Sequence, residues 1–250
     1  MPGIYPMAAV TLLVTAILCI AFLNYLTHSD RRVYWALLAG LPLSFIVNRW
    51  IKVPVLAGVA EWGGIPLELG PSMPVWFLGL ILLNAPIFEE AIKLLPLAIP
   101  TSRRFFESAS GASWAGLAAG MGFGLGEAAY LAYGIAQSLE FSTVPWHMFT
   151  GFASERLIVT FGHGFLTSIA VMGFHYGGRK ALTGYLSAVG LHALINLGPI
   201  LLALQLVPEA VSSIASYAVI LAAFLIFQKN LHTAKRMNGT QTDEIVYFER

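Results

Sequence analysis

Seven apolar stretches follow one another along the chain, separated by short polar breaks. They cover residues of about 4–26, 33–51, 75–99, 110–136, 151–174, 181–206 and 210–228. Each is close to the roughly 20 residues that an α-helix needs to cross a bilayer. The pattern predicts an all-α, polytopic transmembrane bundle of about seven spans. It forms one domain over residues 1–228, with a short cytosolic tail at 229–250. The first stretch is too long for the core of a cleaved signal and has no basic segment before it, so it reads as a retained helix. Residues 52–74 are rich in Gly and Pro, with Trp62 and Trp76 at the edges. They read as an outer interfacial segment or a partial lid.

Composition narrows the class. Of 250 residues, 57% are hydrophobic and 11% charged, against about 25% charged in a soluble domain. Fourteen Lys and Arg face thirteen Asp and Glu, a net charge of +1, so no basic surplus points to nucleic acid as a partner. The single cysteine, Cys19, lies in an apolar run, which rules out an internal disulfide and a cysteine-based metal site.

The breaks sort by charge. Arg31 and Arg32, Arg103 and Arg104, Arg179 and Lys180, and Lys229, Lys235 and Arg236 follow the odd-numbered stretches. The alternate breaks hold Glu61, Glu68, Glu140 and Glu209, with Arg49 and Lys52 near the end of the second stretch as the exceptions. The positive-inside rule places the N-terminus outside and the C-terminus in the cytosol, which an odd number of spans requires.

Charges within the spans carry the chemistry. The third span holds Glu89, Glu90 and Lys93, the fourth Glu127, the fifth Arg156 and His163, and the sixth His192 and Asn196. A charge at mid-membrane costs roughly 2.5–3.5 kcal/mol on insertion scales, so such residues face the bundle interior and mark function. At about 1.5 Å per residue, Glu89 lies about 21 Å from the outer end of its span, His163 about 18 Å and His192 about 20 Å. Two carboxylates and two imidazoles therefore share one level. Lys93 is placed one turn from both Glu89 and Glu90 and can neutralise one of them. Thr167 shares a helix face with His163, and Asn196 with His192. Pro86 and Pro96 flank the Glu pair and loosen the helix there.

This set can activate water. A carboxylate accepts the proton, imidazoles orient the water or bind a metal, and an Asn amide donates to the oxyanion. His163, His192 and Glu89 or Glu90 also form an open three-ligand site of the kind that holds Zn2+. No His-Glu-x-x-His helix is present. Glu127 reads as a structural partner of Arg156 as readily as a chemical group. Asn48 and Asn84 read as packing hydrogen bonds, and the glycines of the fourth span as a close-packing face. His28, His147, His175 and His232 fall in or beside breaks and read as bystanders.

The segments Phe88-Glu89-Glu90-Ala91-Ile92-Lys93, Glu127-Ala128-Ala129-Tyr130, His163-Gly164-Phe165-Leu166-Thr167 and His192-Ala193-Leu194-Ile195-Asn196 occur in this order. The ordered set resembles the PrsW family of intramembrane proteases, within the wider group that includes CAAX prenyl endopeptidases and bacteriocin-processing proteins. The resemblance implies that Glu89 and Glu90 are the catalytic pair and that His163 and His192 are their partners. Lys93, Glu127 and Thr167 would then be supporting residues. It further implies a prokaryotic plasma membrane and a membrane-anchored substrate such as an anti-sigma factor. Leu94 stands where the CAAX-type pattern has Arg, and Val159 where it has Phe, which points away from prenyl-peptide cleavage. Asn196 stands where many family members have Asp, so its role is oxyanion or water orientation. Beside this endopeptidase reading stand a proton- or cation-coupled transporter and a non-catalytic scaffold of the same fold.

Overall fold

A computed structural model gives the fold. It describes residues 2–28, 30–67, 69–70, 72–99 and 107–248, with backbone only for 236–248. Glu68, Arg103 and Arg104 lie outside the described residues, as does the side chain of Arg236. Every regular element among the described residues is helical. They are α1 (Ile4–Thr27), α2 (Arg32–Gly40), α3 (Leu43–Val47), a π-helical turn (Asn48–Lys52), α4 (Val53–Gly63), α5 (Val75–Ile92), α6 (Leu95–Ala98), α7 (Ala109–Gln137), a 3-10 turn (Trp146–Phe149), α8 (Thr150–Tyr176), α9 (Gly178–Ala203) and α10 (Glu209–Phe248).

Among the described residues, six helical segments are long and apolar enough to cross a membrane: Ile4–Thr27, Arg32–Gly63, Val75–Ala98, Trp146–Tyr176, Gly178–Ala203 and Glu209–Lys235. The seventh expected span, α7, is 29 residues long, yet Gly, Ala and Ser dilute its hydropathy. Its surroundings account for that composition. Nearly every residue from Ala109 to Leu125 is buried, so α7, like much of the α8 span, is enclosed by the other helices. Lipid offers no hydrophobic drive for helices to associate, and close packing of small residues supplies it instead.

Glycines let α7 come close on two sides. Gly116, Gly120 and Gly124 lie against α8, where an added Cβ would come within 2.9 Å of Ser168, His163 and Thr160. Gly122 and Gly126 lie against the carbonyls of Leu37 and Leu41, where a Cβ would meet oxygen at 1.9 and 2.0 Å. Ser113 and Ser168 share a hydrogen bond of 2.8 Å across the α7–α8 contact. At the α7 N-terminus the Ser108 hydroxyl accepts from the Gly111 N–H, satisfying one of the open donors of the first turn.

The second span differs from expectation. Instead of ending near residue 51, it continues as one rod from Arg32 to Gly63. Much of the segment expected as a lid or interfacial loop is therefore helical (Val53–Gly63). Pro54 lies where the π-helical turn passes into α4, and it has no N–H to give the preceding turn. At its start, Asp30 accepts from the Arg32 N–H and guanidinium. That hydrogen bonding holds the Asp30 carboxyl below the usual range. The last helix runs past residue 228 without a break, to Phe248.

Two prolines shape the centre of the bundle. Pro96 has no N–H to give the Ile92 carbonyl, and helix α5 stops at Ile92, one turn beyond the Glu pair. Pro199 lies inside α9 and leaves the Ile195 carbonyl without its helical donor. The Ser216 hydroxyl of α10 donates to that carbonyl at 2.9 Å. The α8–α9 turn needs two residues with positive φ, and Gly177 and Gly178 supply them.

Candidate active site

Helices α5, α8 and α9 bring the expected charged residues together. Glu89, Glu90, Lys93, His163 and His192 are all buried, and they form a continuous polar chain. The Lys93 ammonium donates to Glu90 Oε1 at 2.7 Å and to His163 Nδ1 at 2.8 Å. An ammonium has donors only, so His163 Nδ1 is the acceptor and the ring proton sits on Nε2. That Nε2–H donates to Glu127 Oε2 at 3.1 Å, and the Arg156 guanidinium donates to the same oxygen at 2.9 Å. Glu127 thus joins Arg156, as expected of a packing partner, and also touches His163.

On the other side of Lys93, Glu90 Oε1 accepts from His192 Nδ1 at 2.7 Å. This sets the His192 tautomer and leaves the lone pair on Nε2. His192 Nε2 lies 3.8 Å from Glu89 Oε2. Glu89 Oε2 is buried and has no hydrogen-bond partner among the described residues. Glu89 Oε1 is held by the ammonium of Lys52. The ring of Phe123 stacks edge-on to His163 and lies beneath the Lys93 ammonium, 4.4 Å from ring centre to nitrogen. It excludes water from that side and strengthens the ion pairs it covers.

A cavity of about 230 Å³ opens beside this chain. Glu89, His163, His192, Glu127 and Asn196 line it, together with Lys52, Arg156 and the serines at the start of α10. Glu90 and Lys93 stand behind its wall. Thr167 is buried outside the cavity, its hydroxyl packed toward Gly120 of α7.

Sequence reasoning missed Lys52. The sign of its importance was its place among the exceptions to the charge pattern, a cation on the face that otherwise carries acids. The π-helical turn Asn48–Lys52 adds a residue to the rod just before α4, and such turns recur at functional sites. Asn84 of α5 donates to the Lys52 carbonyl at 3.3 Å, tying this turn to the helix that carries the Glu pair. Tyr185 of α9 was also missed; its hydroxyl donates to the Ile87 carbonyl at 2.8 Å, just before that pair.

Glu89, His163 and His192 each offer a ligand atom, all within 4.8 Å of one another. The donors suit a metal. The His192 Nε2 lone pair is left open by the Nδ1–H bond to Glu90, Glu89 Oε2 is unsatisfied among the described residues, and Glu90 backs His192 as carboxylates commonly back metal-binding histidines; His163 would join them as a ligand on giving up the Nε2 proton that it donates to Glu127. Two nitrogens and one oxygen leave an open position for water, as in catalytic zinc sites.

A family model, the PrsW family intramembrane metalloprotease, matches residues 33–227. No curated protein and no solved structure gives a significant match.

Proposed function

The chain belongs to the PrsW family of intramembrane metalloproteases, and on that premise we propose that Glu89, His192 and Asn196 hydrolyse a peptide bond of a membrane-anchored substrate in the central cavity. One observation carries the reading. Glu89 Oε2, which has no hydrogen-bond partner among the described residues, lies 3.8 Å from His192 Nε2, and both residues line the cavity.

Glu89 is the carboxylate with access to substrate. It takes the proton that water loses as it attacks the scissile carbonyl. His192 Nε2 accepts from the same water and orients it, its ring held by Glu90 behind. Asn196 lies one turn further along α9 on the cavity wall, where its amide can donate to the oxygen that becomes charged. His163 completes the pocket, with its tautomer fixed by Lys93 and Glu127. Glu90 and Lys93 act as positioning residues. Held by Glu89, His163 and His192, a zinc ion would supply Lewis acidity to water and to the scissile carbonyl, with the Glu89 Oε2 and His192 Nε2 lone pairs then serving as ligands in place of accepting from the water.

The cavity is lined from the ends of α8, α9 and α10 that the charge pattern places outside. The cavity therefore opens toward the outer face of the membrane, and the bond cut lies at the level of Glu89, about 20 Å along the spans from that face, in a protein of a prokaryotic plasma membrane with its N-terminus outside. A membrane-anchored anti-sigma factor is a substrate of the right kind.

The test uses purified protein in liposomes with a membrane-anchored reporter peptide. Wild type should cut it, and Glu89→Gln and His192→Ala should each lose activity by about 10²-fold or more while keeping the thermal unfolding of wild type. Undiminished cleavage by both variants would refute the assignment.

A further inference from the structure

Charge balance within the cluster is close. Glu89, Glu90, Glu127 and Glu155 bring four carboxylates, and Lys93, Arg156 and Lys52 bring three cations. Two of the cations are fixed. Lys93 is fully buried between Glu90 and His163, and Arg156 is shared between Glu127 and Glu155. Lys52 differs. Its side chain keeps 14% exposure, it lines the cavity, and its ammonium has one partner named among the described residues, Glu89. It is a long flexible chain on a π-helical turn, and its backbone is held by Asn84 whatever its ammonium does.

A divalent ion bound by Glu89, His163 and His192 would add two positive charges to a cluster of four carboxylates and three cations and make it net positive. It would do so within a few ångströms of the Lys52 ammonium, because both share the Glu89 carboxylate. Like charges so close in a partly dry site repel strongly. Lys52 can leave toward the cavity mouth, where Glu155 is half exposed. Lys93 is fully buried, and Arg156, which also lines the cavity, is held there by two carboxylates, Glu127 and Glu155.

We propose that Lys52 is a displaceable counter-ion of Glu89, which occupies the carboxylate until a divalent metal takes it and then withdraws into the cavity. Lys52 is thus a positioning residue that sets the metal affinity of the site and keeps Glu89 paired before loading. The inference rests on the metal reading of Glu89, His163 and His192.

The experiment titrates Co2+ into detergent-purified full-length protein and follows its visible absorption, with His192→Ala to identify the site. Lys52→Met should bind Co2+ about tenfold tighter or more, and Lys52→Arg, which keeps the charge, should bind no tighter than wild type. In wild type, reductive methylation of Lys52 read by mass spectrometry should speed up at saturating Co2+, since the ammonium is released from Glu89. This last measurement needs no variant to fold. Equal or weaker binding by a folded Lys52→Met, tighter binding by Lys52→Arg, or methylation unchanged by Co2+ would each overturn the inference while leaving the metal site standing. No Co2+ signal sensitive to His192→Ala would overturn the metal reading, and the inference with it.

Discussion

Gly120 links the packing of the bundle to its chemistry, and Gly120→Ala tests that link. A Cβ at this position would meet the His163 carbonyl oxygen at 2.3 Å, the His163 carbonyl carbon at 2.7 Å and Thr167 Oγ1 at 2.7 Å. Ordinary contact begins near 3.4 Å, so α7 and α8 must part by roughly 1 Å, a core strain of about 1–3 kcal/mol. Two of the atoms met are backbone and cannot rotate away, which favours the upper half of that range. Ala also gains about 0.8–1.0 kcal/mol over Gly in a helix, leaving a net loss of about 1–2 kcal/mol. Gly134→Ala on the same helix has nothing within 4 Å of its new Cβ and should gain up to about 1 kcal/mol. The same chemical change on one helix thus has opposite signs. His163 moves with the α8 backbone, and a 1 Å displacement of a positioned group costs about 10²-fold in rate. Thermal unfolding in detergent and reporter cleavage in liposomes read both effects. A Gly120→Ala protein as stable and as active as Gly134→Ala would refute this account of the α7–α8 contact.

Glu90→Gln should destabilise the protein by about 3–5 kcal/mol, because the fully buried Lys93 loses its carboxylate; adding Lys93→Met should restore much of the stability but not the cleavage, as unfolding and activity on the same samples will show. Ser216→Ala strips the Ile195 carbonyl of the donor that replaces Pro199 and should cost about 1 kcal/mol in unfolding free energy. Arg156→Met leaves Glu127 dependent on His163 alone and should lower kcat more than it raises KM in a reporter assay, since the fault lies in the orientation of His163.

Much of the site was legible because charges in a bilayer are rare and costly. Counting residues from the span ends was enough to put Glu89, His163 and His192 on one level, and the one-turn spacing narrowed the partner of Lys93 to Glu89 or Glu90, of which the structure pairs it with Glu90. The Glu127–Arg156 pair followed from their similar depth. Spacing on one helix cannot tell which way neighbouring helices are rotated, so Thr167, one turn from His163, was grouped with the site although it packs against Gly120. Lys52 was hidden for a related reason. Its partner is on another helix, and the π-helical turn that aims it leaves no mark in hydropathy. The second span was cut short because Arg49 and Lys52 look like a helix end, whereas the chain continues helically and turns Lys52 inward. The α7 helix was legible by length although its Gly and Ala lower its hydropathy, since those small residues are what a span enclosed by protein requires.

A single site that holds a metal and activates water requires Glu89, His163 and His192 together. Metal content and reporter cleavage measured on the same preparations of wild type, His163→Ala and His192→Ala test it most directly. The account predicts about one zinc per chain in wild type, with zinc and cleavage lost together in both variants. Cleavage that persists in zinc-depleted variants would contradict it.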